Sequence, residues 1–190
     1  MEHIVIIVGH ARTKTYCEAI GESYLRGAVT AGHEAKLFVT SKLSFAPILH
    51  EGFERVQPLE RDLKTVHDAM IEADHLVFIF PLWFGTLPAI FKGFLERVLQ
   101  PDWMAQSKQG KHPRVLNGKS ARIIMTMGMP SFVYRWWYGA HTLRMLKCNT
   151  FGTRGVRPVR SMICGNVEAG GPERRRQWLK TIEELGRRGA

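Results

Sequence analysis

Three short segments of the sequence combine residue types that can hold a ligand, and each follows a run of apolar residues. The first, residues 10–17, carries Arg12, Lys14 and two threonines just before an expected helix. Backbone N–H groups at a helix N-terminus, together with nearby cations, form a phosphate site. A capped helix with a solvated turn is the alternative for this segment. The fingerprint G-x-G-x-x-G is absent, because no glycine follows Gly9 at the required spacing.

The second segment, residues 81–88, reads Pro-Leu-Trp-Phe-Gly-Thr-Leu-Pro. Its aromatic pair, Trp83 and Phe84, can form a flat apolar wall for a planar ring system. Gly85 lets backbone amides approach the edge of such a ring. Packing of the pair into the core, or against another protein, is the alternative.

The third segment begins with the small-residue turn at residues 126–131 and continues with five aromatic residues between positions 132 and 138. The turn can present backbone donors to the polar edge of a ligand. One short loop cannot bury five aromatic side chains, so we expect a partner subunit or a ligand to cover some of them. A small satellite core under the loop is the alternative.

Residue sets for other kinds of catalysis are missing. The sequence contains no G-x-S-x-G nucleophile motif, no H-E-x-x-H motif and no C-x-x-C motif. We therefore expect no metal site. An enzyme built from these residues would take its chemistry from a cofactor.

Length and charge narrow the class of protein. The 190 residues carry a formal net charge of +10, which favours anionic partners but is spread over several segments. Binding of nucleic acid is an alternative for which we find no motif, and we expect none. Three cysteines without short-range pairing indicate a reducing compartment, so we expect a cytoplasmic protein. No apolar run is long enough for a membrane span, and the N-terminus lacks a basic leader.

The elements that must position these segments follow an alternating pattern. Continuous apolar, β-branched runs indicate strands that are buried on both faces, and helical patterns separate them. This alternation predicts one α/β domain over residues 1–190, with ligands bound beyond the carboxyl ends of the strands. We predict strands at 4–8, 34–39, 75–80, 121–126 and 156–163. We predict helices at about 15–31, 59–72, 88–99 and 140–147, and a last helix from 172 onward. A polar irregular segment is expected at 100–119 and an aromatic loop at 128–138.

Residues 80–98 carry the most specific motif. They closely resemble F-P-L-x-W/F-x-x-x-P-A-I-L-K-G-W/F-x-x-R-V of the flavodoxin-like NAD(P)H:quinone oxidoreductases, which include potassium-efflux ancillary proteins and drug-activity modulators. The first segment is similar to the family's H-x-x-x-x-S-F/L-N, with Cys17 in place of the final residue. Residues 45–49 resemble F-x-P-x-L, and residues 126–129 stand where the family favours T-T-G-G. The similarity spans nearly the whole chain.

This resemblance implies a five-stranded parallel sheet of order 2-1-3-4-5 with helices on both faces. It also implies one FMN or FAD per subunit and a homodimer with its sites at the subunit interface. By this resemblance, the flavin phosphate and ribityl chain would meet His10, Thr15, Tyr16 and Cys17. The isoalloxazine ring would lie along Pro81, Leu82, Trp83, Phe84 and Gly85. The pyrimidine edge of the ring would meet Thr126, Met127, Gly128 and Met129.

The implied reaction is ping-pong. A hydride passes from NAD(P)H to flavin N5, and a quinone-like acceptor then takes it from the same pocket. Tyr134 would stabilise charge or donate a proton, together with His141, which stands one residue from the family histidine. The residues distinguish neither FMN from FAD nor NADH from NADPH. An ancillary subunit with little turnover, docked peripherally on a transport protein, is the alternative function.

Overall fold

The computed structural model describes residues 1–52, 54–107 and 116–190. Within these ranges, strands and helices alternate as the apolar runs predict. The strands are β1 (His3–Val8), β2 (Glu34–Val39), β3 (His75–Pro81), β4 (Ser120–Thr126) and β5 (Val159–Cys164). The helices are α1 (Tyr16–Thr30), α2 (Arg61–Glu72), α3 (Ala89–Ser107), α4 (His141–Arg144) and α5 (Gly171–Arg187).

The strands form one parallel sheet in the order β2-β1-β3-β4-β5, which confirms the predicted topology. β1 lies beside β3 with Val8 opposite Ile79, and β3 lies beside β4 with Pro81 opposite Thr126. The carboxyl ends of β1, β3 and β4 therefore reach the same edge of the sheet. This shared edge is where ligands bind in open parallel sheets.

Each face of the sheet has its own apolar core. The side chains of α2 and α3 pack on one face around Phe78 and Phe91, and those of α1 and α5 pack on the other around Ile6 and Ile79. Helices α1 and α5 approach closely at Gly27, where an added Cβ would lie 1.9 Å from the carbonyl oxygen of Glu183. Burial of apolar area on both faces is the main stabilising term for such a fold.

Two predicted boundaries are wrong by several residues. Helix α3 continues past Pro101 to Ser107, whereas we expected it to end near residue 99. Pro101 removes one helical hydrogen bond and crowds the carbonyl four residues earlier, but its φ is helical, and Met104, Ala105 and Gln106 after it favour helix. Residues 108–115 of the predicted irregular segment lie outside the described residues. Strand β5 begins at Val159 rather than at residue 156, because Pro158 has no N–H for the ladder.

The aromatic segment is more ordered than a loop. Residues Val133–Trp137 form a π-helical turn, and α4 is followed by a second π-helical stretch at Met145–Phe151 instead of one helix over 140–147. π-Helical turns have no strong sequence signature and are often found near functional sites. Among the helices that the structure describes, none combines the length and apolar character needed to cross a bilayer.

Candidate functional site

A cleft of about 690 Å³ opens at the carboxyl edge of the sheet. It lies between the loops that follow β1, β3, β4 and β5. All three predicted segments contribute to it, so the folded chain brings residues from distant parts of the sequence together. Its lining residues are His10, Arg12, Lys14, Thr15, Tyr16, Cys17, Pro81, Leu82, Trp83, Thr126, Met127, Gly128, Val167 and Glu168.

The N-terminus of α1 provides free backbone donors at one end of the cleft. Thr15 is the N-cap, and its Oγ1 accepts a hydrogen bond from the N–H of Glu18 at 3.3 Å. Among the described residues, the N–H groups of Tyr16 and Cys17 have no acceptor. The positive end of the helix dipole adds to the field of these two donors. An anionic oxygen placed there would be stabilised by both effects.

A buried carboxylate lies beside these donors. Glu18 accepts a hydrogen bond from the backbone N–H of Lys14 at 2.5 Å and forms an ion pair with Lys42 at 2.5 Å. The hydrogen bond from Lys42, followed by the bond from Lys14, lowers the pKa of Glu18. This carboxylate holds the loop in place, and it uses the Lys14 N–H that would otherwise face a ligand. The side chains of Arg12 and Lys14 remain exposed at the rim.

His10 connects the first loop to the second. Its ring lies edge-on to the Trp83 indole, with centroids 5.1 Å apart, and its Nδ1 accepts a hydrogen bond from the N–H of Arg12 at 3.0 Å. Burial, and then the charge of Arg12, lowers the pKa of His10. The imidazole is therefore neutral at pH 7, with its proton on Nε2 because Nδ1 is an acceptor. A neutral donor at this position suits a polar ligand atom without adding charge.

The second loop is a tight hairpin. The N–H of Leu82 donates to the carbonyl of Thr126, and Trp83 and Thr86 exchange two backbone hydrogen bonds of 3.0 and 2.9 Å. The two residues between them have positive φ, 48° for Phe84 and 76° for Gly85. Such turns favour glycine, so an aromatic residue at the first of these positions is unusual. Trp83 faces the cleft, whereas the side chain of Phe84 is fully exposed.

The floor of the cleft is formed at the end of β4. Thr126 Oγ1 lies 3.3 Å from the Sγ of Cys17, which joins β4 to α1 beneath the ligand space. Both side chains are buried. Burial raises the pKa of Cys17 to about 11, so the thiol is protonated at neutral pH and acts as a weak hydrogen-bonding group. Met127 continues this floor, and Gly128 lies at the open side.

Four lining residues were absent from the predicted contact set. Arg12 and Lys14 belong to the first segment, where they were predicted only as general cations. Val167 and Glu168 belong to the loop after β5 and carried no ligand signature. The parallel order of the sheet is the signal that could have identified them, because β5 ends next to β4 at the same edge.

Five predicted site residues lie outside the cleft lining. Phe84 and Gly85 form the tip of the hairpin, and Met129 packs partly against the core. Tyr134 is buried in the core, and its hydroxyl has no hydrogen-bond partner among the described residues. His141 is exposed at the start of α4. Their assignment to a flavin site or to catalysis stays a prediction.

Comparison with known proteins identifies a match along almost the whole chain. The family model described as "Flavodoxin-like fold" matches residues 2–187. An NAD(P)H oxidoreductase from Haemophilus influenzae, described as uncharacterized, is 26% identical over 131 residues. That alignment covers 67% of this chain, and the chain spans only 65% of the length of that relative.

Solved structures share the same fold. An NAD(P)H:quinone oxidoreductase from Methanothermobacter marburgensis superposes with a TM-score of 0.78 at 23% identity, covering 98% of this chain and 96% of that one. An FMN-dependent NADH-azoreductase from Bacillus anthracis, solved in complex with FMN, superposes with a TM-score of 0.71 at 16% identity over 99% of both chains. At these sequence identities, the two superpositions establish a shared fold and nothing further.

Proposed function

This chain belongs to the family of the flavodoxin-like fold, and on that premise we propose that it is a flavin-dependent NAD(P)H oxidoreductase that reduces a quinone-like acceptor. One observation carries the proposal: a single cleft is lined both by a helix N-terminus with free N–H donors and by an indole wall. A flavin needs the same two features, one for its phosphate end and one for its flat tricyclic ring. The names of the relatives agree with this chemistry.

The phosphate end of the cleft fits an anionic group. The unpaired N–H groups of Tyr16 and Cys17 would hold the phosphate oxygens, with Arg12 and Lys14 at the rim. Glu18 is close by, but Lys42 balances its charge. Glu168 adds one carboxylate to the lining, so Arg12 and Lys14 together leave the cleft with a net positive charge that an incoming anion meets.

The ring end fits an apolar planar group. Trp83 and Leu82 supply apolar surface, and the loop 126–128 supplies small and polar groups at the edge of that surface. Gly128 has open space where a side chain would stand, so a ligand can approach the backbone there. The ring of His10 contacts this wall, and Thr126 is a polar residue of the same cleft.

A bound flavin would supply the hydride chemistry, taking a hydride from NAD(P)H and passing it to the acceptor in a ping-pong cycle. The chain's own groups bind and orient. Trp83 fixes the plane of the ring, and the neutral His10 donates a hydrogen bond without adding charge. We keep Tyr134 and His141 as the residues proposed to stabilise charge on the acceptor.

The identities of cofactor and donor follow from the relatives as proposals. The neighbour from Bacillus anthracis is named FMN-dependent, which favours FMN over FAD for this chain. The relative from Haemophilus influenzae is named for NAD(P)H, which leaves NADH and NADPH as joint candidates. All three cysteines are free thiols, which supports our proposal of a reducing, cytoplasmic location.

We also propose that the chain forms a homodimer. The tip of the 83–86 hairpin supports a partner at this position, because Phe84 is fully exposed beside the mouth of the cleft. Thr142 Oγ1 donates to the carbonyl of Gly85 at 2.5 Å and holds the tip in place. A second copy that covers this tip would shield one side of the site.

The decisive experiment is identification of the bound chromophore. We expect the purified chain to absorb near ~450 nm and to release FMN on heating, detected by mass. The loaded protein should then oxidise NAD(P)H when a soluble quinone is added, with parallel lines in double-reciprocal plots. Absence of flavin after growth with riboflavin and reconstitution with FMN and FAD would refute the proposal. Bound flavin without turnover would instead support an ancillary, non-catalytic subunit.

A further inference from the structure

The lysines and arginines are spread along the chain, but one third of the sequence has no acidic residue to balance them. Residues 103–167 contain eleven lysines and arginines and no aspartate or glutamate. The remaining residues contain sixteen lysines and arginines and seventeen acidic residues, so their charges nearly balance. The net charge of +10 therefore arises from this single acid-free stretch. A charge asymmetry of this kind along a sequence favours an anionic partner.

Apart from Phe84 at the hairpin tip, the most exposed aromatic side chains among the described residues belong to the same stretch. We call residues 132–138 the aromatic turn. Its indoles protrude into solvent, with 86% of Trp136 and 84% of Trp137 exposed, and Phe132 and Tyr138 are more than half exposed. Tyr134, in contrast, points into the core and anchors the turn. Exposed aromatic area of this size is costly in water and indicates an apolar contact.

A strip of cations borders the aromatic turn. Arg135 lies within the turn, and burial together with the charge of Arg135 lowers the pKa of Lys147. Lys147 and Arg157 line the same cavity of about 590 Å³. We call Arg135, Lys147 and Arg157 the basic strip. Across the described residues, none of the three has a carboxylate within ion-pair distance.

The aromatic turn and the basic strip together indicate which kind of partner binds this surface. A second copy docked symmetrically here would place two basic strips opposite each other, which is unfavourable. Single-stranded nucleic acid binds in grooves whose aromatic side chains stack on bases, whereas Trp136 and Trp137 protrude. An anionic bilayer surface offers phosphates for the cations and an interface in which tryptophan and tyrosine are favoured.

We propose that the aromatic turn and the basic strip dock this protein peripherally on an anionic lipid surface. The aromatic side chains enter the headgroup region, and the cations remain at the phosphates. The turn begins four residues after Gly128, which lines the cleft, so docking brings the cleft close to the bilayer. Lipid binding stands independently of the proposed redox function. Its consequence, access to acceptors dissolved in lipid, rests on that function.

The test is sedimentation of the purified full chain with vesicles. We expect binding to phosphatidylcholine vesicles that contain about one third phosphatidylglycerol, and little binding to pure phosphatidylcholine. Raising the salt from about 0.1 M to about 0.5 M should weaken binding several-fold, because Arg135 and Arg157 are exposed. The double variant Trp136→Ala/Trp137→Ala and the double variant Arg135→Gln/Lys147→Gln should each weaken binding by roughly tenfold.

Matched controls change the same residue types elsewhere. The control Ile48→Ala/Val56→Ala removes exposed apolar groups. The control Arg176→Gln/Lys180→Gln removes two exposed charges on α5. Both controls should bind the vesicles as the parent chain does. Circular dichroism verifies that every variant is folded. Equal binding to neutral and anionic vesicles, or equal loss in controls, would overturn the proposal. A lower oligomeric mass of the tryptophan variant would also overturn it, because the surface would then bind a second copy of the chain. Binding of RNA by the parent chain that is lost in both test variants would overturn it as well.

Discussion

The imidazole of His10 meets the indole of Trp83 edge to face, with the ring centroids 5.1 Å apart. These residues are 73 positions apart in the sequence, and their contact exists because β1 and β3 are neighbours in the sheet. The backbone of His10 is held in turn by Thr40, through hydrogen bonds of 3.1 and 3.0 Å. The position of the indole wall therefore depends on three loops at once, and this dependence can be tested.

Removing the indole should weaken flavin binding. Trp83→Ala deletes the aromatic surface that faces the cleft, and we expect the dissociation constant for FMN to rise by about tenfold or more. Fluorescence quenching of FMN during titration of the apoprotein measures this change. Ile48→Ala, which removes an exposed apolar group outside the cleft, is the control. An unchanged constant for Trp83→Ala would show that the ring does not lie along this wall.

Phe84 gives a second, sharper comparison. The family resemblance places it beside the ring, but its side chain is fully exposed at the hairpin tip. If the free chain already has the binding conformation, Phe84→Ala should weaken FMN binding far less than Trp83→Ala. If a dimer buries the tip, Phe84→Ala should instead weaken self-association of the chain, which analytical ultracentrifugation measures.

The carboxylate of Glu18 should stabilise the fold in a pH-dependent way. Its pKa is lowered in the folded chain by Lys42, so its contribution is present above the unfolded pKa of about 4.3 and is lost as pH falls through the folded pKa. Glu18→Gln should lower the free energy of unfolding by about 1 kcal/mol at pH 7. Urea denaturation should show this difference shrinking below about pH 4. Glu22→Gln, exposed on the same helix, should show neither effect.

Thiol reactivity should differ among the cysteines. Cys17 and Cys164 are buried, with pKa values raised by burial to about 11 and about 12, whereas Cys148 is exposed. Only the thiolate reacts, so iodoacetamide at about pH 8 should modify Cys148 alone in the native chain. Intact mass should show one adduct in buffer and three in urea, since the chain has three cysteines. Rapid native modification of Cys17 would mean that the floor of the cleft opens.

The sheet could be predicted from the sequence because its strands are buried on both faces. Residues 4–8 and 76–80 are continuous apolar runs, and no helical pattern competes with them. The region after β4 could not be predicted in the same way. Its aromatic residues have no regular period, and their π-helical turn depends on burial of Tyr134.

The cleft itself was only partly predictable. Residues with chemical character, such as Thr15 and Trp83, indicated the loops that line it. Val167 has no such character, and it reaches the cleft because the N–H of this residue bonds to the carbonyl of Met127. Tertiary hydrogen bonds between loops leave no local pattern in a sequence, so contacts of this kind require the fold.

The hydroxyl of Tyr134 should affect stability and catalysis in opposite directions. It is buried without a partner among the described residues, and Tyr134→Phe should raise the free energy of unfolding by up to about 1 kcal/mol. If the hydroxyl serves the acceptor, kcat with a quinone should fall about 100-fold while FMN affinity stays unchanged. Tyr138→Phe, at an exposed position, is the control. An unchanged kcat would remove Tyr134 from the reaction.

Arg97 should be the strongest single anchor of the irregular chain between β2 and α2. Its fully buried guanidinium donates to the Pro58 carbonyl at 2.9 Å and to Glu60 at 2.6 Å, and these bonds fasten the segment to α3. Arg97→Met removes the donor to the Pro58 carbonyl and the cation that balances the Glu60 carboxylate, so we expect a loss of about 3 kcal/mol in the free energy of unfolding. Lys92→Met breaks an exposed pair on the same helix and should cost less than about 0.5 kcal/mol.

Urea denaturation measures both losses, and limited proteolysis locates them. In Arg97→Met, we expect faster cleavage between residues 43 and 60, because its described residues, 43–52 and 54–60, form no helix or strand that could replace the lost anchors. The cleavage pattern of Lys92→Met should match that of the parent chain. Similar losses in the two variants, or cleavage elsewhere in Arg97→Met, would mean that apolar packing holds the segment and that the guanidinium contributes little.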